Sequence, residues 1–575
     1  MAQRTIRKAR PSPQSKARLA RELRRLRNRY GGEAETEKRR LLTLLADDPP
    51  HTAHALQHLH EDLLFMRAFP GDAATLRLVK SLLTRVGCWV AYLPRDERTR
   101  LHDTGIAGSV TRHVYPFPIA QWLVRKAPGE ADIDWRNYGD ASLLDRALFA
   151  VMRPVELEAA ESGEVSTRAL FKAARRKDGP GDLDWIIGAL SEAPATRRQA
   201  DALWNEAEVP IVWNLSKSRR ATTGNMLSGA PVALRRAMRR PPENVASRIL
   251  EPMTVDLLPR VRALKVIEAA QTALAARCRE VLAISYPNPD EVHWCDLGEG
   301  AAIAVIGVAP EKRLNFETNT GYLLMSNGVP IGYGGVTPFF RQANTGINIF
   351  DPFRGSEAAF FWVEMLRAFH AIYGSTRFVV NGYQFGEGNS EAISSGAYWF
   401  YYRLGFRPDH VTQRKLAAKE AARLKRKNAA PSEKSVLRAL AKGDLILDTP
   451  GFDPADALDE KLLVKASLAA ARILAGAPCD GRGAAEAFIA RQAAARLGVA
   501  TMEGWSREER AAFARLAPIA FIPEGVEYWP DDEKRRIVAM MRAKASPQER
   551  DFALAAGRCE RFYRALAAAL KDAHV

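Results

Sequence analysis

The sequence lacks the marks of two large protein classes. Its five cysteines are odd in number and contain no C-x-x-C pair, so we predict neither a disulfide framework nor a cysteine zinc site. The longest uncharged apolar run, Ala301–Val308, is far shorter than the roughly 18 residues that a membrane-spanning helix needs. We therefore expect a cytoplasmic protein with no membrane segment.

Several catalytic motifs are also missing. The sequence has no P-loop, no G-x-S-x-G elbow and no complete G-x-G-x-x-G, which removes the usual signals of NTPases, serine hydrolases and dinucleotide enzymes. His54 and His58 stand four residues apart on a helical stretch and could meet one metal ion. No H-E-x-x-H pattern accompanies them, and we predict no metal site.

What the chain does have is length and an uneven positive charge. Its 575 residues, 47% hydrophobic and 26% charged, are typical of a globular protein of several domains. Much of the net charge of +17 lies in residues 1–30, which carry eleven Lys or Arg against Glu22, and in residues 414–427, which carry seven against Glu420. Such clusters can bind nucleic-acid phosphates non-specifically, or can simply be solvated surfaces.

Hydrophobic spacing divides the chain into four parts. We predict that residues 1–36 form a basic flexible arm. Apolar residues recur three and four apart through residues 37–288, as in Leu56, Leu59 and Leu63, which predicts a mainly helical region. Residues 289–410 are rich in strand-forming runs, and residues 411–575 become helical again. Within the first helical region, the β-like run Val209–Trp213 has no obvious partner.

The central part predicts an α/β domain. Strand-like runs cover Ala302–Val308, Gly321–Met325, Pro330–Val336 and Gly346–Phe350, and Asn327-Gly328 between the second and third is a strong hairpin signal. A helix over Ser356–Tyr373, a strand over Arg377–Val380 and a helix over Asn389–Arg403 complete the pattern. No clear strand follows Phe406.

This α/β segment resembles the GNAT superfamily of acyl-coenzyme A N-acyltransferases. Gly321–Gly334 looks like the central hairpin of that fold, and Gly346–Ser356 is similar to its fourth strand and pyrophosphate loop. Asn389–Ala392 and Phe400–Phe406 resemble its late helix and the tyrosine-containing end of that helix. The resemblance covers residues 290–410 and implies a mixed, strongly bent sheet flanked by the helical N- and C-terminal regions.

The resemblance also implies a donor site. Two neighbouring strands of the family splay apart, and acetyl-coenzyme A or another acyl-coenzyme A lies between them as co-substrate. Splayed strands leave backbone groups that an amide chain can pair with. On this mapping, the donor-binding residues lie along the fourth strand, in the phosphate loop and at the start of the late helix; they are Asn348, Ile349, Phe350, Arg354, Gly355, Ser356 and Asn389.

The implied reaction is attack of an amine on the thioester carbonyl. The acceptor is a small-molecule or protein amine that the sequence does not identify. The family's tyrosine, which protonates the leaving thiolate, matches Tyr401, with Tyr398 and Tyr402 as alternatives. Asp351 is the candidate base, although Asp before Pro is also a common turn residue. Glu391 and Glu387 are weaker candidates for the base.

One departure from the family pattern supports a second hypothesis. Glu357 stands where the phosphate loop of the family has glycine, and a carboxylate there would repel a diphosphate, whereas a helix start favours an acidic residue. Glu357 and the two basic clusters therefore favour a non-catalytic scaffold, or a nucleic-acid-associated protein, that retains a degenerate GNAT-like fold.

Overall fold

The computed structural model describes residues 13–193, 197–216, 220–459 and 461–573. Over these residues the chain is a mixed α/β protein, 52% helical, with an open mixed sheet and many helices. Among the described helices, none is both long and apolar enough to cross a membrane.

The N-terminal part alternates long helices with a few short strands. Its elements are α1 (Pro13–Leu26), α2 (Gly32–Asp47), α3 (Ala53–Ala68), α4 (Ala73–Ala91), α5 (Arg95–Thr99), β1 (Val110–Val114), α6 (Phe117–Lys126), β2 (Ala131–Ile133), α7 (Asp145–Phe149), α8 (Pro154–Glu161), α9 (Thr167–Ala174), α10 (Asp182–Glu192), α11 (Arg197–Glu206), β3 (Pro210–Asn214), α12 (Val245–Ile249), β4 (Asp256–Leu257), α13 (Arg260–Ala275) and α14 (Leu282–Ser285).

The remaining elements form most of the main sheet and the C-terminal helices. They are β5 (Pro287–Asp296), β6 (Ala301–Val308), β7 (Thr320–Ser326), β8 (Val329–Phe339), β9 (Gln342–Thr345), β10 (Asn348–Ile349), α15 (Ala358–Tyr373), β11 (Arg377–Val380), α16 (Ser390–Ser395), α17 (Ala397–Arg403), β12 (Arg407–Pro408), α18 (Val411–Leu424), α19 (Lys434–Leu440), β13 (Leu445–Asp448), α20 (Leu462–Ala475), α21 (Arg482–Arg496), α22 (Arg507–Leu516), α23 (Asp531–Ala543), α24 (Glu549–Gly557) and α25 (Glu560–Ala569).

The described part of the expected basic arm is helical. Helix α1 places Leu23, which is fully buried, in the main core. Arg27 Nη1 lies 2.8 Å from the buried carboxylate of Asp62, and Arg24 Nε lies 3.1 Å from it. The arginines of this segment thus partly serve to dock α1 on α3. Residues 1–12 lie outside the described residues.

The expected boundary near residue 289 does not separate two cores. Leu59 and Leu63 of α3 belong to the same buried cluster as Ile303 of β6 and Phe369 of α15. The N-terminal helices therefore pack directly on the main sheet.

A small sheet lies beside this core. Its strand order is β1-β3-β2, with antiparallel pairs. The run Val209–Trp213, which had no obvious partner in the sequence, contributes to the central strand β3. Ile211 and Trp213 point into a second core formed mainly by residues 107–276.

The main sheet has ten strands in the order β12-β13-β11-β9-β8-β7-β6-β5-β4, with β10 also paired to β8. The predicted hairpin joins β7 and β8. Both turn residues, Asn327 and Gly328, have positive φ, of 50° and 73°, which is the conformation that Asn-Gly favours. Asn327 Nδ2 also donates to the carbonyl of Ala68 at 2.8 Å, so the turn is anchored on the N-terminal helices.

Two predictions for the α/β segment need correction. The predicted helix Asn389–Arg403 is two helices, α16 and α17, because Gly396 at φ +67° ends the first. A further strand does follow Phe406: β13 inserts between β11 and β12. It lies after the basic helix α18 and after α19, so residues 411–575 supply part of the sheet as well as helices.

The C-terminal helices form a third core and contact the sheet through four buried charges. Glu291 of β5 accepts from Arg313 at 3.3 Å and from the backbone N–H of Arg550 at 3.0 Å. Glu549 of α24 pairs with Arg313 at 2.7 Å and with Lys544. Burial, with a further contribution from the nearby Glu549 carboxylate, raises the pKa of Glu291 to about 7.

This raised pKa predicts a pH-dependent contribution to stability. Because the folded state holds a proton on Glu291 that the unfolded chain releases near pH 4.5, stability should fall as pH rises from about 4.5 to about 7, by up to about 3 kcal/mol. Glu291→Gln should remove this part of the dependence, since Arg313 keeps Glu549 as its partner. Thermal unfolding of the wild type and of Glu291→Gln between pH 4.5 and 8 measures this difference in pH dependence. Parallel pH profiles of the two proteins would contradict the prediction.

Candidate functional site

The pairing between two neighbouring parallel strands of the main sheet stops after three residue pairs. Strands β9 and β11 pair at Gln342 with Arg377, Ala343 with Phe378 and Asn344 with Val379. After β9 the chain continues through Gly346 and Ile347 into β10. Strand β10 pairs with β8 along the edge that faces away from β11. We call the region between β10 and the end of β11 the fork. It lies where the resemblance placed the donor.

The fourth strand of the sequence prediction is therefore not continuous. Gly346–Phe350 was expected as one strand, but the ladder is interrupted at Gly346 and Ile347. Two tyrosine hydroxyls meet the backbone at this break. Tyr322 donates its hydroxyl to the Gly346 carbonyl, and the Ile347 N–H points to the Tyr401 hydroxyl at 3.5 Å. These contacts replace part of the missing ladder bonds.

Backbone alternation shows which groups face the fork. The Phe350 N–H donates to the Ile331 carbonyl of β8 at 3.1 Å. Because backbone groups of successive residues point to opposite edges of a strand, Ile349 and Ile347 direct theirs away from β8. Of the predicted donor-binding residues Asn348, Ile349 and Phe350, only Ile349 thus offers its backbone N–H and C=O to the fork.

Tyr401 is buried at the closed end of the fork. Its side chain is 2% exposed, and its ring packs against Trp362, Phe385 and Phe406 at centroid distances of 5.2 to 6.3 Å. Burial raises the pKa of Tyr401 well above its usual value, so the hydroxyl keeps its proton at neutral pH. The alternatives lie elsewhere: the Tyr398 hydroxyl is buried without a partner among the described residues, and Tyr402 packs beneath Arg407.

The fork is partly filled by Gln384. This residue lies in the short 3-10 turn Gly382–Phe385 that follows β11. A Cβ added at Gly346 would lie 2.4 Å from Gln384 Cδ, so glycine is what allows the two arms to approach here. A donor that reaches the break must displace the Gln384 side chain.

The predicted base lies at the surface. Asp351 begins the short turn Asp351–Phe353, and its side chain is 71% exposed. Arg354 bridges Asp351, at 2.9 Å, and Glu391, at 2.5 Å. The hydrogen bond from Arg354 lowers the pKa of Glu391. Arg354 therefore pairs with both carboxylates, and the lowered pKa weakens Glu391 as a base. The remaining candidate, Glu387, is exposed.

Glu357 turns away from the predicted phosphate loop. It is 1% exposed and caps the start of α15 with its backbone. Its carboxylate lies 3.0 Å from Arg235 Nε and 3.2 Å from Arg239 Nε. Two arginines thus neutralise the charge that the sequence led us to expect in the path of a diphosphate. Gly355 and Ser356 precede it at the helix start, where Gly355 has open space around its Cα.

Asn389 has a structural role that the sequence also suggested. Its side-chain oxygen accepts from the Ala392 N–H at 3.0 Å and so caps α16, and its Nδ2 donates to the Tyr383 carbonyl at 3.1 Å. Both ends of the amide are therefore engaged before any donor binds.

Four residues that contribute to this region were not predicted from the sequence. Tyr322 and Gln384 were missed because an aromatic residue in a strand and an amide in a turn carry no specific signal. Arg235 and Arg239 reach Glu357 from more than 110 residues away. The one available hint was Glu357 itself, since a buried carboxylate requires a cationic partner.

The predicted histidine pair does touch. His54 Nε2 and His58 Nε2 lie 3.0 Å apart, whereas His60 is buried and bonds Thr223 Oγ1 at 2.9 Å. Within the described ranges, no group of three or more His, Cys, Asp or Glu is arranged to hold a metal ion.

The chain matches no known protein family, no curated protein and no solved structure.

Proposed function

We propose that this protein transfers an acyl group from acyl-coenzyme A to an amine, with the donor bound in the fork. The observation that carries the proposal is that β10 pairs with β8 and has no pairing with β11, together with a buried tyrosine whose hydroxyl meets the backbone where the strand is interrupted. A GNAT-like fold for residues 290–410 is part of the same proposal.

The free edge of β10 suits an extended amide chain. Ile349 directs one N–H and one C=O into the fork, and the pantetheine arm of the donor carries amides that can pair with them as an added strand. The thioester carbonyl would then lie near the Ile347 N–H. A backbone N–H in this position can stabilise the oxyanion that develops during attack.

The chemical step needs one bond made and one broken. The amine nitrogen attacks the thioester carbonyl carbon, and the C–S bond breaks as the tetrahedral intermediate collapses. Tyr401 donates its proton to the leaving sulfur, and it regains a proton from solvent. The amine gives up its own proton to water or to an exposed carboxylate such as Asp351. This sequence consumes no oxidant, reductant or metal.

A calorimetric titration with acetyl-coenzyme A tests donor binding. Ile349→Pro removes the N–H that faces the fork, whereas Asn348 and Phe350 keep their bonds to β8, as proline at a free strand edge allows. Loss of one hydrogen bond should weaken binding about five- to tenfold. Ile349→Ala, which keeps the N–H, is the matched control and should bind within about twofold of wild type.

Two results would reject the acyl-donor site. One is absence of heat with the wild-type protein at millimolar acetyl-coenzyme A. The other is equal binding by the proline and alanine variants. The first result would favour the alternative function, a non-catalytic scaffold.

A further inference from the structure

Two arginines line one narrow crevice beside the fork. Arg67 of α3 and Arg277, just beyond α13, face each other there with Asn225, Phe353 and Val329. The crevice lies where the N-terminal helices meet the start of β8 and the turn after β10. Arg277 stacks on Phe350, its guanidinium carbon 4.0 Å from the ring centre.

Neither arginine has an acidic partner among the described residues. Arg67 is 5% exposed; it donates to the backbone carbonyls of Thr223 at 2.6 Å and Asn225 at 3.1 Å, and its Nε has no partner. Arg277 donates to the Ala273 carbonyl at 2.8 Å. Burial lowers the pKa of Arg67 to about 10 and that of Arg277 to about 9, and Arg67 contributes to the second shift.

The surrounding groups do not supply the missing negative charge. His60 lies close enough for both arginines to affect it, and burial lowers its pKa to about 3, so it is neutral. Asp351 attracts Arg277, but its carboxylate is exposed and binds Arg354. Arg67 is buried and Arg277 is half-buried, and two such cations close together without an acidic partner in hydrogen-bond contact are costly. A bound anion would remove that cost.

We propose that Arg67 and Arg277 bind a phosphate group. A phosphate dianion balances two guanidinium charges, whereas a carboxylate balances one. The planar array of N–H donors on arginine also matches the geometry of phosphate oxygens. The Arg67 Nε–H provides a donor that no atom of the described residues uses. The crevice is too narrow to hold a phosphate in this structure, so binding requires its walls to move apart. This site does not depend on acyl transfer in the fork.

The test is a titration with inorganic phosphate at constant ionic strength, balanced with sodium chloride. At saturating phosphate we expect the thermal midpoint of the wild-type protein to rise by about 1–2 °C. Arg277→Met should weaken phosphate binding at least about tenfold by calorimetry, because a charge-assisted hydrogen bond is lost. Arg277→Lys keeps the positive charge but not the planar guanidinium, and it should bind phosphate with intermediate affinity.

Arg260→Gln is the matched control, since Arg260 is an exposed arginine paired with Asp290, and it should respond to phosphate as the wild type does. In phosphate-free buffer, Arg277→Met should be at least as stable as the wild type, because the substitution removes an uncompensated charge. A purely structural role predicts the opposite, a lower midpoint with unchanged phosphate affinity.

The proposal is overturned if the wild type shows no response to phosphate, or if the two Arg277 variants respond as strongly as it does. A titration with phenyl phosphate distinguishes a phosphate monoester from free phosphate as the ligand. Tighter binding than inorganic phosphate would support a phosphate monoester as the ligand, and weaker binding would support free phosphate.

Discussion

Replacing Tyr401 with phenylalanine should lower turnover about 100-fold while leaving the affinity for acetyl-coenzyme A within about twofold. The reason is that proton transfer to a leaving group contributes on the order of 100-fold or more, whereas the ring of Tyr401, packed on Trp362 and Phe406, keeps its place without the hydroxyl. Turnover is measured as release of free thiol in the presence of a panel of amines, and affinity by calorimetry.

Tyr398→Phe is the control for this experiment. Tyr398 lies on the same helix, is fully buried and has a hydroxyl with no partner among the described residues. Its variant should turn over at the wild-type rate. Equal rates for the Tyr401 variant and the wild type would reject the acid role of Tyr401, and a rate loss confined to Tyr398→Phe would reassign that role to Tyr398.

Glu357→Ala should cost about 3–5 kcal/mol of stability, the usual result of removing one partner from a buried ion pair. Arg235 is 1% exposed on its side chain and would lose the carboxylate that neutralises it. Arg239, which is stacked on Phe360 at 4.2 Å, would lose its closest acidic partner as well. The thermal midpoint and the urea midpoint both measure the loss.

Glu391→Ala controls for removal of a carboxylate near the same helix start. Its ion pair with Arg354 is largely exposed, and exposed pairs contribute at most about 1 kcal/mol. A Glu357→Ala variant no less stable than Glu391→Ala would show that the buried network does not hold the N-terminal part to α15.

Local patterns predicted the parts of the fold that depend on neighbouring residues. Arg377–Val380 was predicted with the bounds that the structure has; Ala302–Val308 was one residue short at its start. The Asn327-Gly328 turn was also predicted, because its backbone preference is local. The break at Gly346 was not, since it depends on tyrosines from a different strand and a different helix.

The candidate site was harder to predict than the fold, because its contacts join distant segments. The position of Tyr401 near the end of a helix could be inferred, but not its contact with Ile347. Glu357 was recognised as unusual, yet its neutralisation depends on Arg235 and Arg239, which no periodicity connects with it. The strand β13 was missed for the same reason: four helices, α16 to α19, separate it in the chain from its neighbour β11.

The insertion of β13 between β11 and β12 has a consequence for synthesis on the ribosome. Strand β11 is synthesised before β13. Its edge along Phe378–Val380 therefore has no partner strand until α16–α19 and then β13 have been made. An unpaired edge of this kind can join strands of other chains. The lysines and arginines of α18 emerge during that interval, and their mutual repulsion would keep nascent copies apart until the sheet closes.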